Sequence, residues 1–378
     1  MHDAINRFGL FLIGFIFFSP FASATEIVEN FQSVRGLGMG GVYTFDRVDA
    51  GVLFKNPAGL DRVQGLNLSI FDLGFGVGGG ASFLSTIDSF KAIGNLNGIS
   101  SLNSVYGKPV WAGAGGYTAM ALPHFGAAVF DTASITLRVD NPAYTNLNAN
   151  YFNDYGFQTG GSFSVGMMSF GLAAKRVTRT GGSKNVGGAT LANVTNNTLS
   201  SQFQDAGYGF GMDGGVLIAP PAPFNPIFSM AWQDMGFTSF IQTAGSSAPP
   251  RIHDNVTFSA TFGGEVPLLG FRGGVEYRHI TDTSEVLGKK LHVGAEITVA
   301  MFDLRAGLYQ GYPTYGVGLD LFFLQVDAAY YKIEKGAYPG QTPDERVQVS
   351  LAMNLDFDLS FNLSDSSSGK RRKLKQRR

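Results

Sequence analysis

The C-terminal part of the chain carries a strict alternation of apolar and polar residues. From Val347 to Leu363 every odd position is apolar, and every even position is polar or small. A period of two over this length indicates a β-strand with one apolar face and one polar face. Such a strand is longer than most strands of soluble proteins. It suits a membrane barrel whose outer face meets lipid and whose inner face is polar.

The same alternation recurs along the chain, most clearly over 291–299 and 302–308. Counting all such segments predicts about fourteen strands, an even number, as a closed bacterial barrel requires. Short connections alternate with longer ones, which is typical of periplasmic turns and extracellular loops. The predicted fold is all-β, an antiparallel transmembrane outer-membrane β-barrel. Its predicted strands cover 66–77, 113–122, 125–139, 151–165, 168–179, 207–218, 226–236, 254–266, 270–281, 289–300, 302–310, 314–322, 324–333 and 346–361.

The N-terminus has the features of an export signal. Arg7 supplies a positive charge, residues 8–18 form an apolar run, and Ala22-Ser23-Ala24 is a small-x-small cleavage site. The apolar run is too short for a spanning helix. We therefore predict a signal peptide over 1–24. The chain contains no cysteine, which excludes disulfides, thiol catalysis and Cys-ligated metal sites.

Three further regions follow from the position of the strands. Residues 25–63 contain apolar residues that need burial, so we predict that they fold into the lumen as a plug, or hatch. Residues 64–363 form the barrel, and 364–378 form a basic periplasmic tail. This tail either attracts anionic lipid headgroups or is simply solvated. The loop over 78–112 is predicted to hold one or two short helices, with a disordered loop as the alternative.

A glycine-rich stretch and a rigid turn occupy residues 35–60. The glycines give the backbone freedom for close packing in a plug. In the turn, the asparagine can bond its own downstream backbone and the proline fixes φ. The glycines are Gly36, Gly38, Gly40 and Gly41, and the turn is Asn56-Pro57-Ala58-Gly59 followed by Leu60.

This combination resembles the N-terminal hatch of the FadL/OMPP1 (TodX) superfamily of outer-membrane barrels. The resemblance implies fourteen strands and a hatch that blocks the lumen. It also implies passage of hydrophobic small molecules, such as long-chain fatty acids, across the outer membrane of a Gram-negative bacterium. Two interpretations of Asn56-Pro57-Ala58-Gly59 stay open, a structural turn that anchors the plug and a direct gating role.

A second stretch, over 305–331, resembles the PorV/TraF-like branch of the same superfamily. It contains an Arg-x-Gly element, then Gln310-Gly311-Tyr312-Pro313, and later a Tyr330-Tyr331 pair. This resemblance implies an alternative function. The protein would then serve secretion or surface attachment without transport, and its partners would be secretion-system proteins.

The predicted lumen face of the second half of the barrel holds charges of both signs, close enough for cross-strand pairing. They form either a salt-bridge network that holds the plug or a polar permeation path. An apolar pocket is therefore expected from the first half of the barrel, the plug and the 78–112 loop. The charged side chains of the predicted lumen face are Arg272, Glu276, Arg278, His292, Glu296, Asp303, Arg305, Asp320 and Asp327.

The remaining patterns predict neither an enzyme nor a cofactor. The five histidines show no metal-ligand spacing, and no Ser-His-Asp constellation is evident. The expected partners are outer-membrane lipids and a hydrophobic small-molecule ligand, and nucleic acid is not expected in this compartment.

Overall fold

The computed structural model describes residues 27, 29, 31–42, 49–79, 106, 109–140, 146–187 and 201–357. The predicted signal peptide, the basic tail and most of the 78–112 loop, with its predicted helices, lie outside these residues.

Fourteen antiparallel strands form a closed barrel, which confirms the predicted architecture. Each strand pairs with its neighbours in the order β5-β4-β3-β2-β1-β15-β14-β13-β12-β11-β10-β9-β7-β6, and β6 pairs with β5 to close the ring. A short fifteenth strand, β8, pairs with β6. The bounds are β1 Leu66–Gly78, β2 Val110–Leu122, β3 Phe125–Asp140, β4 Asn146–Val165, β5 Met168–Val186, β6 Ala206–Ile218, β7 Ile227–Gln233, β8 Ile241–Ala244, β9 Asn255–Val266, β10 Leu269–Tyr277, β11 Leu291–Val299, β12 Phe302–Tyr309, β13 Tyr312–Leu321, β14 Leu324–Glu334 and β15 Pro343–Phe357.

The alternation of side chains along each strand divides the barrel into two faces. Outward-facing Leu304 and Val317 are 58% and 55% exposed, whereas lumen-facing Glu296 and Arg305 are buried. Water would not favour so many exposed large apolar side chains on one surface, but the hydrocarbon of a membrane does.

The predicted short connections are present as tight turns. His124 and Ala300 have φ values of 69° and 54°, and Gly166 has a φ of 64°. Left-handed backbone of this kind matches the twist of two-residue hairpin turns. The turns therefore fix the register of the strands on either side.

Two differences from the predicted strands have local causes. The strand predicted over 226–236 ends at Gln233, because Asp234, Gly236 and Phe237 have φ values of 50°, 75° and 69° and bend the chain. Strands β4 and β5 are longer than predicted, at 20 and 19 residues. Their added ends lack a clean alternation, but they contribute to a buried apolar cluster that includes Leu137, Leu147, Val186 and Phe203.

The helices of the described residues are short. They are α1 Val34–Gly38, α2 Val52–Lys55 and α3 Leu287–Lys290, with 3-10 helices at Pro57–Arg62 and Ser201–Phe203. None of these helices has the length and apolar character needed to cross a membrane.

Candidate functional site

The described residues between 27 and 63, called the N-terminal segment below, contact the lumen face of the barrel at two places. At the first place Arg35 of α1 forms an ion pair with Glu296. Arg305 binds the same carboxylate at 2.6 Å and also binds Asp303 and Asp327, each at 2.6 Å. Two guanidinium groups thus face three carboxylates, and this mutual pairing offsets the cost of burying the charges.

The end of α1 touches the barrel wall backbone to backbone. A Cβ atom added at Gly38 would lie 2.8 Å from the Cα atom of Gly316, and one added at Gly294 would overlap the carbonyl oxygen of Met39. Only glycine permits an approach this close. Gly40 also needs to be glycine because its φ is +68°.

Hydrogen bonds complete this first contact. The backbone N–H of Gly40 donates to the Thr314 hydroxyl oxygen at 2.9 Å, and that hydroxyl donates to the carbonyl oxygen of Gly38 at 3.1 Å. Gly41 donates its N–H to the carbonyl oxygen of Gly36 at 2.8 Å. Of the four glycines singled out in the sequence, Gly36 and Gly38 lie in α1, and Gly40 and Gly41 lie in the turn that follows it.

Glu29 adds an ionic contact beside α1. Its carboxylate lies 3.3 Å from Arg278 Nη1 and 3.0 Å from His279 Nε2, and Arg278 also pairs with Glu276 at 2.8 Å. Burial raises the pKa of Glu29, but Arg278 and His279 outweigh burial and hold this pKa well below its usual range. The nearby His292 Nδ1 lies 3.0 Å from the carbonyl oxygen of Gly40.

The second contact centres on Asn56. Its Oδ1 accepts the backbone N–H of Ala58 at 3.0 Å, and its Nδ2 donates to the carbonyl oxygen of Met230 at 3.2 Å. One side chain thus caps the 3-10 helix and ties it to β7. A Cβ added at Gly215 would overlap Asn56 Oδ1, so β6 leaves a space for this side chain.

The rest of the predicted turn packs on β5. Pro57 begins the 3-10 helix, and Ala58 is fully buried. A Cβ added at Gly171 would overlap the backbone of both residues. Gly59 donates its N–H to the carbonyl oxygen of Asn56 at 2.9 Å, which closes the turn.

Side chains that the sequence did not single out hold the end of α2. Gln158 Nε2 donates to the carbonyl oxygen of Leu53 at 3.0 Å, and Gln233 Nε2 donates to that of Phe54 at 2.7 Å. These carbonyls have no partner within so short a helix. Nothing in the local sequence around either glutamine signals this role.

A buried ion cluster lies next to these glutamines. Lys175 Nζ is 2.9 Å from carboxylate oxygens of both Asp213 and Asp234, and Gln158 donates to Asp213 at 2.7 Å. Lys175 and Asp213 are charged residues on the lumen faces of predicted strands. The positions of Lys175 and Asp213 in the sequence could therefore have predicted an ion cluster in the lumen.

Aromatic rings meet where the N-terminal segment faces the first half of the barrel. Phe31 and Phe54 stack with their centroids 3.9 Å apart, and Phe130 and Tyr117 contact Phe54 edge-on at 5.7 and 5.1 Å. A cavity of about 50 Å³ adjoins these rings. Its lining includes Phe31, Phe54, Phe130, Thr132, Asp154, Lys175, Gln158 and Gln233.

Two of the predicted lumen charges take no part in these contacts. Arg272 is partly exposed and pairs with Glu265 at 2.8 Å. Asp320 is half-buried near the turn at Met301. Within the described ranges, no group of three histidine or acidic side chains is arranged to hold a metal ion.

Comparison with known proteins shows a likeness in fold. No protein-family model and no curated protein sequence matches the chain. The solved CymD monoaromatic hydrocarbon channel is similar at 12% identity and a TM-score of 0.52, over 87% of this chain and 98% of that one. The Ralstonia pickettii toluene transporter TbuX is similar at 11% identity and a TM-score of 0.50, over 85% and 97% of the two chains. The chain therefore shares the closed β-barrel fold of these two proteins, which agrees with the fold that the resemblance in its sequence implies.

Proposed function

We propose that the protein passes hydrophobic small molecules across the outer membrane of a Gram-negative bacterium. The aromatic-lined cavity between the N-terminal segment and the barrel wall carries this proposal. The apolar outer face of the closed barrel supports the location. The two similar structures are a hydrocarbon channel and a toluene transporter, which favours transport over catalysis.

In this proposal residues 25–63 act as the hatch, and the turn at Asn56-Pro57-Ala58-Gly59 is its moving part. The cavity of about 50 Å³ is smaller than the roughly 150 Å³ cavity that holds benzene in a protein core. A ligand would therefore have to displace part of the hatch. The lumen charges Glu276, His292, Glu296 and Arg305 would hold the other part in place.

Uptake by cells tests the proposal. A Gram-negative host without its own channel for the solute would express the wild type, Asn56→Ala or Pro57→Gly, and uptake of labelled toluene and of a labelled long-chain fatty acid would be measured. We expect wild-type uptake above the empty vector for at least one solute. We expect both variants to insert normally and to take up less, because a turn destabilised by about 1 kcal/mol or more no longer moves as the rigid unit on which the proposed gate depends.

The matched control is Asn148→Ala, since Asn148 lies near the first residue of β4, where it accepts a hydrogen bond from Asn185. Wild-type uptake by both turn variants would remove the gating role. No uptake of any solute by the wild type, with a stoichiometric protein partner on purification, would instead favour the PorV/TraF-like alternative. A preference for long-chain fatty acids stays a prediction, and the uptake of the labelled fatty acid tests it.

A further inference from the structure

The cavity combines two chemistries that a pocket for a pure hydrocarbon does not need. Part of the lining consists of the rings of Phe31, Phe54 and Phe130, which offer faces and edges to another ring. Another part of the lining consists of polar side chains that include Thr132 and Asp154. A ligand that enlarges this cavity by displacing part of the hatch would therefore meet both aromatic rings and hydrogen-bonding groups.

Each charged group of the lining lies beside a group of opposite charge. Asp154 pairs with Arg179 at 2.6 Å, and Lys175 pairs with Asp213 and Asp234 at 2.9 Å. Glu29, the remaining lining carboxylate, pairs with Arg278 and His279. An anionic ligand would lose its hydration without gaining an uncompensated positive charge. A neutral polar group faces no such barrier.

Thr132 is suited to bind a neutral polar group. Its hydroxyl oxygen lies 3.4 Å from the carbonyl oxygen of Asp154, which is a long distance for an O–H···O hydrogen bond. A hydroxyl oxygen has two acceptor lone pairs in addition to its donor. Thr132 can therefore accept a hydrogen bond from a ligand while the ligand ring rests on Phe130, two residues away on the same face of β3.

We propose that the cavity selects small neutral aromatic molecules that carry a hydroxyl group, with Phe130 contacting the ring and Thr132 contacting the hydroxyl. This inference rests on the proposed transport function and names its substrate class. In a polar lining, an analogue without the hydroxyl leaves buried polar groups unpaired, and this lowers its affinity. An apolar lining separates two hydrocarbons by a smaller difference in binding free energy.

Fluorine NMR on the purified full-length protein in lipid nanodiscs tests this inference. Three probes share one ring and differ in one substituent: 4-fluorophenol, 4-fluorotoluene and 4-fluorobenzoate. Protein-free nanodiscs correct for partition into lipid. We expect saturable binding of 4-fluorophenol, about tenfold weaker binding of 4-fluorotoluene, and none of 4-fluorobenzoate.

Two variants locate the binding. Thr132→Val keeps the shape and should weaken 4-fluorophenol about fivefold while leaving 4-fluorotoluene unchanged. Phe130→Leu should weaken both neutral probes by a similar factor. Thr159→Val is the matched control, since Thr159 lies on β4, outside the lining, and bonds to the carbonyl oxygen of Gly126. Heat-modifiable migration on gels verifies that each variant is folded.

The outcomes separate the inference from the function on which it rests. Equal or tighter binding of 4-fluorotoluene, or a Thr132→Val effect equal for both neutral probes, would overturn the inference and leave transport standing. Tighter binding of 4-fluorobenzoate would also overturn it. Saturable binding of 4-fluorophenol without uptake of toluene, the long-chain fatty acid or 4-fluorophenol by cells would retain the pocket and remove the transport function.

Discussion

At the scale of single residues, two charged side chains connect the N-terminal segment to the barrel wall. Glu29 and Arg35 have opposite signs, and each is buried against a partner of the barrel wall, Arg278 and Glu296 respectively. Removing Glu29 or Arg35 would take one ionic partner from a buried charge of the wall, which destabilises the docked segment. These two residues are therefore expected to fix the position of α1.

The depressed pKa of Glu29 makes a prediction about pH. A carboxylate with a lowered folded-state pKa stabilises the attached segment above its unfolded pKa of about 4.3, and this stabilisation is lost only as the pH falls toward the folded value. Hydrogen exchange of residues 31–42 should therefore stay slow in the wild type at pH 5. Glu29→Gln should show less protection from exchange than the wild type at pH 7, relative to the intrinsic rate at each pH, with little further change in protection on acidification.

Glu265→Gln serves as the control for this experiment, because Glu265 is exposed and pairs with Arg272 away from the segment. Exchange in residues 31–42 that is equally slow in Glu29→Gln and in the wild type at pH 7 would show that the ion pair does not hold α1.

At the scale of elements, α1 is far too short to be stable alone, since isolated helices of fewer than about 12 residues are marginal in water. Its stability must come from the wall. The wall strands β11 and β13 supply Gly294 and Gly316, where the two backbones meet without intervening side chains. A helix of five residues is thus held by glycine-lined contact and by buried ion pairs.

Gly294→Ala should displace α1, because the new methyl group would overlap the Met39 carbonyl oxygen. Overpacking of this kind costs about 1–3 kcal/mol. We expect faster hydrogen exchange in residues 31–42 while the barrel keeps its heat-modifiable migration. Gly270→Ala is the control, since a Cβ there would find its nearest neighbour at 3.4 Å, an ordinary contact. Unchanged exchange in Gly294→Ala would contradict this account of the docking.

At the scale of the whole molecule, the N-terminal segment is attached at two separate places on the ring of strands. The end of α1 rests on β11–β13 through backbone and ionic contacts, and the 3-10 helix rests on β5–β7 through Asn56 and glycine contacts. The aromatic cavity adjoins the second attachment. Transport through the proposed hatch therefore requires the second attachment to open.

A covalent tether tests this requirement. Asp61 Oδ2 accepts a hydrogen bond from the Ser169 hydroxyl at 2.7 Å, and the chain has no cysteine of its own. Asp61→Cys with Ser169→Cys, joined by a short bifunctional thiol reagent, should lower uptake to the level of the empty vector. Each single-cysteine variant treated with the same reagent is the control. Full uptake by the tethered protein would show that solute passes without release of this attachment.

The sequence by itself determined the features that depend on neighbouring residues. The alternation of apolar and polar side chains predicted the strands, and the even number of strands agreed with a closed barrel. The Asn56-Pro57 turn was also predictable, because its first hydrogen bond, to Ala58, joins residues two apart. Such patterns are local, so they can be read along a single strand or turn.

Only the tertiary structure decided which distant groups meet. Arg35 and Glu296 are 261 positions apart, and Gln233 reaches the carbonyl oxygen of Phe54 across 179 positions. Barrel closure and the path of the N-terminal segment select these partners from many polar side chains that face the same lumen. The cavity and its paired charges also depend on the tertiary structure, because the strands and aromatic rings that form them are distant from one another in the sequence.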